Sequence, residues 1–203
     1  MLVELYQRHI DEKITRFQRI LEATGYQTIV IGSGEIKMQF QDDMAYSFKA
    51  NCYFREWAPL ATRAGCYLKL NADTSKPTLF LLTVEDIWHT EPESLPAGFD
   101  QAFEIIEYAS IDEIKTHLTD TATAFINEVN TLEVAPGGWN NQAVLNQIDY
   151  QRRGKTAYEH DCVRQANRLA VPAHRAAQKA FMAGASEVQI AAAYLAACDC
   201  RES

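Results

Sequence analysis

Chemistry in this chain would have to come from five histidines, five cysteines, one adjacent pair of aspartates, a glycine turn and one Trp-His pair. His9, His89, His117, His160 and His174 stand singly, without the HxH, HExxH or Cys/His spacings that bring ligands to one ion. His9, His117, His160 and His174 fall on helical patterns among charged residues, where solvated or capping roles are expected. Cys198-Asp199-Cys200 lacks the paired CxxC spacing of a zinc site, and Asp42-Asp43 sends its side chains apart, as in a solvated loop. Gly32-Ser33-Gly34 matches neither GxGxxG nor GxxxxGK[ST] and reads as a strand-to-helix turn. Trp88-His89 opens the loop Thr90 to Gly98, where a tryptophan either covers local core or is presented to another surface; the residues leave both open. Spacing alone pairs no nucleophile with a base.

The elements that would position these groups follow from periodicity. Residues 2 to 24 carry Leu2, Leu5, Tyr6, Ile10, Ile14, Phe17, Ile20 and Leu21 mostly three or four apart, a helix stopped by Gly25. Thr28-Ile29-Val30-Ile31 is a short β-branched strand. Residues 35 to 64 show no clean period and read as irregular structure with a short strand or helix inside. Cys66 to Leu70 and Thr78 to Val84 read as a hairpin, and Phe103 to Tyr108 as a further strand. Ser110-Ile111-Asp112-Glu113 has capping-box spacing and opens a helix expected to reach about Val129. The order gives a mixed sheet with helical cover.

Asn130 to Asn141, with Pro136-Gly137-Gly138, is the expected boundary, dividing the chain into 1–138 and 139–203. Beyond it come a short helix around Ala143 to Tyr150 and a long helix capped by Thr156-Ala157-Tyr158-Glu159, with Pro172 expected to kink or interrupt it. A last helix follows Gly184 and Ser186-Glu187-Val188-Gln189. Alanine along the inner face of these two helices contributes little apolar area, so they call for a partner surface.

The 203 residues, 22.9 kDa, suffice for one substantial core with a small appendage. A formal charge of -8 and a pI near 5.1 oppose phosphate-backbone binding, so no nucleic-acid partner is expected. No apolar run nears the roughly 20 residues that span a bilayer, and the odd, scattered cysteines suit a reducing compartment; the expectation is a cytoplasmic chain with no membrane partner.

Specific residues then carry a likeness. Glu35, Phe40-Gln41-Asp42-Asp43, Phe48-Lys49-Ala50-Asn51, Trp57-Ala58-Pro59, Lys76-Pro77 and Asp86-Ile87-Trp88-His89 resemble the N-terminal domain of bacterial Xaa-Pro dipeptidases, the prolidases that include organophosphorus acid anhydrolases. Lys155-Thr156-Ala157-Tyr158-Glu159, Cys162-Val163-Arg164-Gln165-Ala166, His174-Arg175-Ala176-Ala177 and Ala193-Tyr194-Leu195 are similar to the opening helices of that family's catalytic domain. The resemblance implies a creatinase-type, ribonuclease H-like α/β domain, with mixed sheet and flanking helices, over residues 1–138, and the first helices of a pita-bread domain over 139–203. It implies metal-dependent hydrolysis of Xaa-Pro dipeptides at two divalent metals, typically manganese, held by ligands downstream of the helices matched. This chain would then supply no metal ligand and no catalytic residue, and would be inactive alone. The resemblance further implies a homodimer, or association with a full-length prolidase subunit, in which Trp88 walls the neighbouring subunit's substrate pocket. A non-catalytic interaction or regulatory protein built from the same domain is the alternative. The sequence departs from the family at Gly32, where relatives place a histidine, at Cys52, where they place a proline, and after Cys198.

Overall fold

The computed structural model describes residues 2–73, 75–83, 95–120 and 122–198. The chain divides into two compact units, Met1–Gly154 and Lys155–Ser203. The expected boundary at 138/139 falls ahead of a helix that lies within the first of these.

In the first unit the helix α1 (Leu2–Thr24) buries Tyr6, Ile10, Ile14, Phe17, Ile20 and Leu21, and ends at Gly25 in the left-handed region at φ +75. Five strands follow: β1 (Thr28–Gly32), β2 (Tyr67–Asn71), β3 (Thr78–Leu82), β4 (Glu104–Tyr108) and β5 (Thr123–Ile126), in the spatial order β4-β3-β2-β1-β5. β2 pairs antiparallel with both β1 and β3, while β1-β5 and β3-β4 are parallel. Four strands therefore run one way and β2 alone runs the other. All of β1 and β5 is buried, as expected for strands covered on both faces, and β5, although last in the sheet order, is bridged on its outer side by Trp139 at Phe125. Val30, Phe80, Tyr108, Ile114, Leu118 and Phe125 pack in one cluster under α4 (Ile111–Leu118), each large side chain contributing roughly 1.5–3 kcal/mol by burial. Short helices α2 (Cys52–Arg55) and α3 (Phe99–Ala102) fill connections, and α5 (Gln142–Arg152) packs on α1.

Two sequence expectations need correction here. The helix expected to reach Val129 ends at Leu118, and the missing strand β5 lies inside that span. The Asp120 carboxylate makes the break: it accepts from the Ala122 amide (2.9 Å) and from the hydroxyls of Thr123 (2.9 Å) and Thr28 (2.5 Å), tying the starts of β5 and β1 together. Burial alone would raise its pKa, but those hydrogen bonds and the charge of Lys69 hold it below the usual carboxylate range. Gly32-Ser33-Gly34 leads into no helix either. It opens an arm closed by a Met38-Ala45 bridge, with Gln39 N donating to Met44 O at 2.9 Å.

The second unit is two helices, α6 (Ala157–Met182) and α7 (Glu187–Cys198), joined through Gly184 at φ +77. The capping box read from sequence is present: the Thr156 amide donates to Glu159 Oε2 at 2.8 Å, and the Glu159 amide to Thr156 Oγ1 at 3.3 Å. Of the kink or interruption expected at Pro172, the interruption does not occur, since α6 runs continuously through it. Val163, Leu169, Val171, Phe181, Met182 and Val188 are exposed, so the pair leaves considerable apolar surface open.

Candidate functional site

Because β1, β3, β4 and β5 run in one direction, their carboxyl ends share one edge of the sheet. Open α/β sheets bind ligands outside that edge, where successive loops part. Three connections leave from it: the Gly32-Ser33-Gly34 turn after β1, the stretch toward Trp88 after β3, and Asn127 to Asn141 after β5.

The turn after β1 is a rigid hub. Ser33 is 1% exposed; its amide donates to Cys66 O at 2.7 Å and its Oγ accepts from the Cys66 amide at 3.0 Å. Asn51 Nδ2 donates to Gly32 O, while Asn51 Oδ1 accepts from the Phe54 amide at 3.0 Å and so caps α2. A Cβ on residue 32 would lie 2.6 Å from Asn127 Cγ, so the amide of Asn127 occupies the space any side chain there would need. The backbone of Asn127 is fixed in turn by Trp139 Nε1 (3.1 Å) and Asn140 Nδ2 (2.8 Å), both donating to its carbonyl. Asn51, Tyr53, Ile126, Asn127, Glu128, Asn140 and Leu145 line a cleft of about 250 Å³ at this end of β5.

The arm after β1 holds Asp42 and Asp43 at its tip, both exposed, with Asp42 Oδ1 accepting from the Met44 amide at 2.9 Å as the solvated-loop reading requires. Its apolar residues are also exposed: Ile36, Met38, Met44, Tyr46 and, at 90%, Phe40. Trp88, with Glu85, Asp86 and His89, lies outside the described residues. What the structure gives is its launching point: β3 ends at Leu82, paired with Tyr108, and the Thr83 amide donates to Tyr108 O at 2.8 Å.

A second polar constellation was not read from the sequence. Lys13 sits on the apolar stripe of α1, between Ile10 and Phe17, with its side chain 3% exposed. Its ammonium is 2.7 Å from Glu56 Oε1 and lies 5.3 and 5.4 Å from the ring centroids of Trp57 and Phe17. Arg152 Nε on α5 meets the other Glu56 oxygen at 3.0 Å, and His9 Nε2 lies 2.7 Å from Glu56 O. His9 is thus buried at 1% exposure, correcting the solvated role expected of it, whereas His117, His160 and His174 are exposed. A lysine on an apolar helical stripe was the signal available in the sequence, because such a charge requires a buried counterion. This brace ties α1, the α2 turn and α5 together.

No nucleophile is paired with a base in these constellations. Among the described residues, no three His, Cys, Asp or Glu side chains gather so as to hold a metal ion, so a dinuclear metal pair does not fit the residues present. The arrangement can orient loops and present side chains.

Comparison with known proteins agrees with the fold. The family profile described as Xaa-Pro dipeptidase, N-terminal domain, matches residues 4–150. The Xaa-Pro dipeptidase of Pseudoalteromonas atlantica is 38% identical over 200 residues, covering 97% of this chain and 45% of that protein. That of Serratia proteamaculans is 34% identical over 209 residues, covering 100% of this chain and 47% of that protein. The chain thus spans about half the length of these relatives. Among solved structures, a variant of Escherichia coli aminopeptidase P superposes with a TM-score of 0.54 at 15% identity, over 92% of this chain and 49% of that one. The prolidase of Pyrococcus horikoshii OT3 gives 0.53 at 13% identity, over 93% and 48%. At those identities the two structures show the fold, and the family follows from the sequence matches: the chain belongs to the Xaa-Pro dipeptidase family and carries its N-terminal domain.

Proposed function

We propose that this chain is the N-terminal α/β domain and the opening catalytic-domain helices of a metal-dependent Xaa-Pro dipeptidase, and that alone it is catalytically silent. The single observation carrying this is the match of residues 4–150 to the family's N-terminal domain in a chain that spans about half the length of its relatives. The hydrolytic step, cleavage of the bond before proline at two divalent metals, typically manganese, belongs to the part of the relatives that these residues do not match. We place the family's domain boundary at 138/139, dividing the chain into 1–138 and 139–203, with α5 following the boundary in sequence yet packing on α1 in the first compact unit; the setting is cytoplasmic, and the assembly is a homodimer or a pairing with a full-length subunit.

In that assembly Trp88 walls the neighbouring subunit's substrate pocket. It works by shape and takes no part as acid, base or nucleophile. Its place after β3 supports this, since the carboxyl edge is where an α/β sheet presents its loops. A hybrid in which residues 1–203 replace the matching part of the Pseudoalteromonas atlantica relative tests the role. Trp88→Ala should change KM and the preference among Xaa residues while bound metal stays constant; unchanged preference removes Trp88 from the pocket.

The exposed arm and the open apolar faces of α6 and α7 favour a second reading, a non-catalytic interaction protein built on the same domain. Sedimentation combined with a turnover assay tests the second reading: a complex with a full-length dipeptidase that alters that enzyme's turnover supports it, and a monomer indifferent to the enzyme counts against it.

A further inference from the structure

Between the carboxyl ends of β1, β3 and β4 lies another cleft, of about 240 Å³, lined by Glu35, Ile36, Gly65, Tyr67, Leu82 and Tyr108 among others. Its walls are aliphatic and aromatic, and Glu35 supplies the one charge among its lining residues. The tyrosine hydroxyls are engaged: Tyr67 with Thr131 Oγ1 at 3.0 Å, and Tyr108 as donor to Gly65 O. Among the described residues no lysine, arginine or histidine makes an ion pair with Glu35. The arm's own cation is turned elsewhere, with Lys37 Nζ 5.8 Å from the ring centroid of Tyr46.

We propose that this cleft binds a small organic ammonium ion, an amine with an apolar body of side-chain size. Glu35 is itself exposed at the rim of this apolar wall, so an ammonium seated there gains a surface ion pair that a neutral occupant lacks, worth up to about 1 kcal/mol, and aromatic faces attract the same charge. The volume lies below the ~300–1,000 Å³ usual for cofactor and drug-sized sites, which limits the occupant's size. Burial pushes the Glu35 carboxyl up, consistent with a partly desolvated position, and it pushes up the Tyr67 and Tyr108 hydroxyls too, with the Glu35 charge adding to both.

The test is a titration of the ¹⁵N-labelled 203-residue chain with 2-phenylethylammonium and, separately, with 2-phenylethanol, its neutral counterpart. Saturable amide shifts are expected at Glu35, Gly65, Tyr67, Leu82 and Tyr108, with the ammonium binding about fivefold more tightly than the alcohol. Glu35→Gln should abolish that preference and leave the remaining spectrum folded, while Glu22→Gln, an exposed carboxylate on α1, should leave the preference intact. Equal affinity for the two probes, a preference that survives Glu35→Gln, or no saturable shift at these amides up to about 20 mM would each overturn the proposal.

Discussion

Replacing Glu56 by glutamine would remove the charge that compensates Lys13 inside the first unit, and the geometry sets how much that should cost. The two side chains are 3% and 9% exposed and 2.7 Å apart, so water cannot readily take the place of the lost carboxylate. Arg152, at 26% side-chain exposure, keeps access to solvent and to Asp149 at 3.3 Å, but Lys13 would stay buried against Trp57 and Phe17. Breaking a buried pair by removing one partner typically costs about 3–5 kcal/mol, against about 5–15 kcal/mol for the stability of a whole domain. For a unit of this size that corresponds to a fall in Tm of about 6–20 °C. Urea unfolding followed by tryptophan fluorescence is the suitable assay, because Trp57, Trp88 and Trp139, the chain's 3 tryptophans, all lie in Met1–Gly154. Lys13→Met combined with Glu56→Gln should recover most of the loss, since an apolar side chain suits that stripe. A cost below about 1 kcal/mol for Glu56→Gln would refute the reasoning and place the pair with ordinary surface ion pairs.

Gly32→Ala should destabilise the first unit by about 1–3 kcal/mol in the same assay through overpacking against Asn127, and Asn127→Gly should restore part of it; an unaffected midpoint would mean the amide moves aside freely. Phe125→Ala, in the strand missed from sequence, should cost about 3–5 kcal/mol, and a cost near zero would remove β5 from the core. Burial pushes the Cys66 thiol up to about 11 from an ordinary value of 9.0, so at pH 8 Cys52 and Cys162 should react with a thiol reagent while Cys66 stays protected until the chain unfolds. The raised folded value favours the protonated thiol, so its contribution to stability is complete below pH 9.0 and declines as pH rises toward about 11; Cys66→Ala should flatten that part of the alkaline stability curve.

Much of the fold was legible where one periodicity ruled a segment. The stripe of α1, the hairpin of β2 and β3, and the Thr156-Glu159 capping box are local patterns that neither long-range pairing nor packing overrides. β5 was missed because Thr123-Ala124-Phe125-Ile126 is a short apolar run following a helical pattern. Four such residues do not distinguish a buried strand from the end of a helix. The arm after β1 was illegible for a different reason: with its apolar residues exposed, no buried face imposes a period of two on residues 35 to 47. The brace shows the limit most plainly. Lys13, Glu56 and Arg152 are far apart in sequence, and only the packing of α1 against the α2 turn and α5 reveals that Glu56 answers both cations. The common edge from which the loops leave follows from the shared direction of four strands, which only the pairing reveals.

Hydrolysis of an Xaa-Pro dipeptide such as Ala-Pro by the purified 203-residue chain, with and without added manganese, decides whether the chain is silent alone, with the Pseudoalteromonas atlantica relative as the positive control. No product above the enzyme-free blank is expected for the chain alone at any metal concentration. Turnover that appears with manganese and disappears with a chelator would contradict that expectation, because it would require a metal centre built from residues assigned here to folding and presentation.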